Sequence, residues 1–95
     1  MREEGLVRDL LPQLERIAED RELASVSRVE MIVGLLHGAA AERLVQAFEQ
    51  AFEGTRLKGA KVAVTIVKPG QPYTAPRAGR PSVASGWEIF ICRVE

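Results

Sequence analysis

A single imidazole, His37, and a single thiol, Cys92, are the chain's whole stock of the side chains most used for metal ligation and nucleophilic attack. No second histidine and no CxxC pair accompanies either. A Cys–His nucleophile, a hydrolytic triad and a multi-cysteine zinc site therefore have no residues to be built from, and the chain does not read as an enzyme. His37 is either a polar loop residue or one donor of a weak metal site. In the second case the terminal amine of Met1 and the carboxylate of Glu3 supply the other donors, because a tight transition-metal site asks for several. Glu3 and Glu4 have a simpler use near the start of a helix, where acids complement its dipole. Cys92 reads as a small buried apolar side chain in a strand. Trp87 either caps the core or anchors a protein partner. Tyr73, Arg77 and Arg80 lie in a stretch with no acid between Lys68 and Glu88. That composition suits an acidic partner or nucleic acid where the segment is mobile, and is otherwise a solvated linker. The glycines and lysines of residues 54–61 lack the Gly-Lys-Ser/Thr order of a phosphate loop.

The elements that must position these residues follow from hydrophobic periodicity. Leu6, Leu10, Leu14 and Ile17, with Val7, Leu11 and Ala18 beside them, form an apolar stripe of helical spacing. Pro12 interrupts it, and proline inside a helix costs about 3 kcal/mol. Asp9 as N-cap, with Pro12 in the first turn, removes that conflict, so a helix is expected from residue 5 or 9 to about 21. Residues 26–36 alternate as a strand, and His37-Gly38 ends it. A second helix is expected over 40–53, with Leu44, Phe48, Ala51 and Phe52 toward the core and Gly54 as a left-handed cap. Residues 61–68 and 87–94 are strands. Between them, residues 69–86 hold most of the prolines and are expected to be neither helix nor regular strand. The order implies an α/β (α+β) domain spanning 1–95, with two helices packed on one face of a three-stranded sheet.

Thirteen basic and 13 acidic residues leave no net charge, so nothing in bulk calls for DNA or an anionic membrane. No apolar run approaches the roughly 18 residues of a membrane span, and acids near the N-terminus argue against a signal peptide. The expected compartment is the cytoplasm. The last strand places Trp87, Ile89 and Ile91 on one face and Phe90, Cys92 and Val94 on the other, apolar on both. A homodimer, or a complex with another protein, is expected to bury it.

Gly34, Leu36, Gly38, Leu44, Ala47-Phe48-Glu49, Glu53-Gly54-Thr55, Leu57 and Gly59-Ala60 together resemble the HypA-type hydrogenase nickel-incorporation proteins. The opening Met1-Arg2-Glu3 and the closing Gly86-Trp87-Glu88-Ile89-Phe90-Ile91 are similar to that family's ends, so the resemblance covers 1–68 and 86–95. It implies two helices against a small mixed sheet, and nickel delivery together with a maturation GTPase or a hydrogenase subunit. It also implies a nickel site built on the N-terminal backbone and a histidine at the position that Arg2 holds here, and a zinc ribbon of two CxxC pairs where this chain has residues 69–86. A guanidinium is permanently protonated and has no lone pair to donate. The expectation is thus a non-catalytic, protein-binding member with no cofactor and no zinc, whose partner-binding residues are Arg2, Tyr73, Arg77, Arg80 and Trp87. The alternatives are a nickel metallochaperone with a rebuilt site at Met1, Glu3 and His37, or an anion- or nucleic-acid-binding module using the 69–86 loop.

Overall fold

The computed structural model describes residues 2–76 and 79–95. Its order is α1 (Arg2–Asp20), β1 (Arg28–Gly34), a 3₁₀ turn (Leu35–His37), α2 (Ala41–Ala51), β2 (Lys61–Val67), β3 (Pro72–Tyr73), β4 (Ser82–Val83) and β5 (Ile89–Val94). The main sheet has the order β2-β1-β5, with β2 parallel and β5 antiparallel to β1. Two helices and a three-stranded mixed sheet are thus as expected.

Helix α1 begins earlier than expected and runs straight through Pro12. Asp9 is therefore an interior residue and not the N-cap. Pro12 is exposed, so its ring meets no packed neighbour, and the burial of Val7, Leu10, Leu14 and Ala18 along one face offsets the missing hydrogen bond. Leu6, Leu11 and Ile17 flank that face, half-buried. The helix ends where Glu22 takes a left-handed φ of 56° and the Leu23 N–H donates to the Ala18 carbonyl at 2.9 Å.

Strand β1 alternates as a half-buried strand should. Val29, Met31 and Val33 are at most 1% exposed and join Leu14, Leu44, Phe48 and Phe52 in one apolar cluster. The Phe48 and Phe52 rings sit 5.9 Å apart. Beyond α2, Gly54 has the expected left-handed φ of 79°. The Thr55 hydroxyl donates to the Phe52 carbonyl at 2.7 Å and closes the helix end.

Two expectations fail at β5. A register shift opposite Glu30/Met31 marks a β-bulge: Met31 pairs with Ile91 and Glu30 with Arg93, leaving Cys92 as the extra residue. One added residue reverses the in–out phase. Val94 consequently points back to the helix side, 2% exposed within the core, instead of sharing a face with Phe90. Cys92 is exposed and not a buried core residue. The 69–86 segment is more ordered than its composition suggests: β3 and β4 pair as a short antiparallel ribbon, with Pro72 opposite Val83 and Tyr73 opposite Ser82. At the far end of β1, Gly34 lies against the Gly86 backbone so closely that any side chain there would collide with it.

Candidate functional site

The N-terminus of α1 meets the turn that leads into α2. Ala40, the N-cap of α2, has no side-chain oxygen to satisfy the helix's first amide groups. Glu3 supplies one from the other helix: its Oε2 accepts the Ala40 N–H at 3.0 Å, and the residue is only 5% exposed. That hydrogen bond, then the one from its own N–H, outweighs burial and holds the Glu3 carboxyl below the usual range. This is the carboxylate half of a capping box, supplied from a second helix, with no N-cap side chain to return the bond. It pins residue 2 in place, and the Arg2 side chain lies over Gly38: a Cβ on Gly38 would stand 2.8 Å from Arg2 Cδ. Gly38 itself adopts a left-handed φ of 75° and donates to the Leu35 carbonyl at 3.0 Å.

His37 turns toward the start of the last strand. Its Nε2 lies 2.9 Å from the Trp87 carbonyl oxygen, and its ring meets the Trp87 indole edge-on at 5.4 Å. A carbonyl only accepts, so Nε2 carries the proton and the neutral ring keeps its lone pair on Nδ1. Trp87 is 59% exposed and does not cap the core. Leu35 and Leu36 are also exposed, and the Leu36 N–H donates to the Gly86 carbonyl at 2.9 Å. Arg2, Glu3, His37 and Trp87 are therefore gathered at one end of the sheet. The two leucines beside them read from sequence as the end of a strand, and were missed. A dipeptide of large apolar residues just before His37-Gly38 was the available signal.

The other named residues lie elsewhere. The Tyr73 ring stacks on Phe90 at 6.0 Å and 28°, on the sheet face away from the helices, with the Glu88 carboxylate near enough to act on its hydroxyl. Burial, then the charge of Glu88, pushes the phenol pKa up. Glu88 also accepts the Ser85 and Gly86 N–H groups, both at 2.8 Å, and the Ser85 hydroxyl at 3.2 Å. Burial pushes its carboxyl up, but these donors prevail and the net shift is downward. Tyr73 is thus packed into a clasp rather than displayed as a stacking platform. Arg80 is exposed, and Arg77 and Met1 lie outside the described residues. Among the described residues, no three or more His, Cys, Asp or Glu converge as a metal-holding group.

Over residues 1–71 the sequence matches the HypA family model, described as hydrogenase/urease nickel incorporation, metallochaperone. This chain belongs to the HypA family. Among solved structures, it is similar to the Ni metallochaperone HypA from Helicobacter pylori, with a TM-score of 0.65 and 18% identity over 98% of this chain and 95% of that one. A second solution structure of a HypA protein matches with a TM-score of 0.57 and 18% identity, over 95% of this chain and 91% of the other. At that identity the likeness shows the HypA fold. No curated protein matches the chain in sequence. HypA proteins are metallochaperones, and among the described residues here no helix is long and apolar enough to cross a membrane.

Proposed function

We propose that this protein serves nickel incorporation as a non-catalytic contact module, one domain that binds another maturation protein without the usual nickel and zinc sites. The observation that carries this reading is the position-2 end of the molecule. There a fixed positive charge, Arg2, lies over Gly38 beside the exposed side chains of Leu35, Leu36 and Trp87. Tryptophan and arginine are the residue types enriched at protein-binding hot spots, and the exposed leucines add apolar area beside them. The zinc implied by the family does not fit: residues 68–88 contain no Cys or His, and the pKa of the lone thiol, Cys92, is raised by partial desolvation of its sulfur and then by Glu30. The partner is a maturation GTPase or a hydrogenase subunit by family resemblance, and the compartment is the cytoplasm.

One observation favours the metallochaperone alternative. The Trp87 carbonyl fixes His37 with its Nδ1 lone pair free, as metal-binding histidines are commonly oriented. Calorimetry with nickel at neutral pH separates the two. The contact-module reading expects no stoichiometric binding by the unmodified chain and partial recovery in Arg2→His. Micromolar one-to-one binding that disappears in His37→Ala establishes the rebuilt site instead.

A further inference from the structure

The two edges of the main sheet are unlike. At β5 the edge is broken by the bulge at Cys92, carries Arg93, and is flanked by Leu6, Asp9, Leu10 and Gln13 of α1 across a shallow groove. Bulges, charges and covering elements are the devices that keep edge strands from pairing. At β2 the edge has none of them within Val62–Val67: the seven-residue strand pairs with β1 in unbroken register and ends the sheet on that side.

The direction of its backbone groups follows from one hydrogen bond. The Lys61 N–H donates to the Ser27 carbonyl at 2.9 Å, so Lys61 faces β1. Alternation then turns Ala63, Thr65 and Val67 the same way and leaves the N–H and C=O groups of Val62, Val64 and Ile66 pointing off the edge. These three residues are symmetric about Val64. Their side chains lie half-buried on the helix side, while Ala63 and Thr65 are exposed on the other.

We infer that β2 is a self-association edge, and that a second copy of this chain pairs with it antiparallel about a two-fold axis at Val64. In that register Val64 meets Val64 and Val62 meets Ile66, twice. Each such pair exchanges two backbone bonds, about six in all. Apolar β-branched side chains oppose one another on the helix side, and Ala63 opposes Thr65 on the other. Lys61 falls opposite Val67, so the edge brings no like charges face to face. The product is a continuous six-stranded sheet in which all edge groups of Val62, Val64 and Ile66 are paired. This places the dimer on β2, not on the last strand.

The test uses the whole chain in a sedimentation series from micromolar to millimolar concentration. A mass rising from one chain to two is expected. Ala63→Lys with Thr65→Lys sets two lysine pairs directly opposite and is expected to raise the dissociation constant at least about tenfold. Ala63→Glu with Thr65→Lys turns the same contacts into ion pairs and is expected to keep the dimer. Both positions are exposed, so circular dichroism should show the native fold in each variant. Amide exchange in the unmodified chain gives an independent reading, with Val62, Val64 and Ile66 gaining protection as concentration rises. A monomer throughout the series, a dimer indifferent to the lysine pair, or fast exchange of those amides at every concentration overturns the inference.

Discussion

On the helix side of the sheet, Val29, Met31 and Val33 share an apolar cluster with Leu14, Leu44, Phe48 and Phe52, and water reaches almost none of them. On the opposite side Ile32 and Phe90 are half-buried, and the cover over Phe90 is one tyrosine on a two-rung ribbon, whose exit at Ser85 and Gly86 is bonded to Glu88. The first layer is stabilised by area, which is additive and tolerant of detail. The second depends on a few directional contacts, which form together or not at all.

The contrast is most severely tested in the core. Phe48→Ala or Phe52→Ala should cost about 3–5 kcal/mol, read as a shift in denaturant midpoint; wild-type-like midpoints in both would show that the helix layer does not carry the stability. Pro12→Ala should act in the other direction. It restores an N–H to the interior of α1 at an exposed site, and a gain of about 1–3 kcal/mol is expected from the same measurement. Glu88→Gln should leave the core midpoint close to wild type but release the ribbon. Faster exchange is expected at the Ala84 amide, which donates to Gln71, and at the Gly70 amide, which donates to Ala84. Acid should reproduce this effect. Because the folded pKa of Glu88 is lowered, its contribution is present above the ordinary carboxylate value and is lost as pH falls through the folded one. The smallest expected effect is zero: excess EDTA should leave the melting temperature unchanged, whereas a metal-tied fold would drop by many degrees.

The same contrast governs how much was legible in the sequence. Helix α2 and strands β1 and β2 follow from periodicity, because burying one face of each imposes the pattern. Pro12 misled, because an exposed proline is tolerated where the rest of the stripe is well packed. The bulge at Cys92 is invisible to a period-two count, since it is set by how β5 registers on β1 rather than by any local residue. That slip moved Val94 and Cys92 to the wrong faces. The candidate site was half legible. Arg2, Glu3, His37 and Trp87 stood out by type, but that Glu3 caps a different helix is a long-range fact with no local signal. Glu88, the centre of the clasp, read only as one polar residue in a strand.

The central place of β1 also has a meaning in time. Synthesis delivers β1, α2 and β2 in succession, and this unit can pair its strands across a single helix while the chain is still emerging. The other side of β1 must wait for residues 89–94, which are made after that unit. Until then its open edge is guarded chiefly by the charges of Arg28 and Glu30, the latter of which ends as an ion-pair partner of Arg93. The final strand is thus the late arrival that ends the nascent chain's exposure to wrong pairing, and its loss would return the molecule to that vulnerable stage.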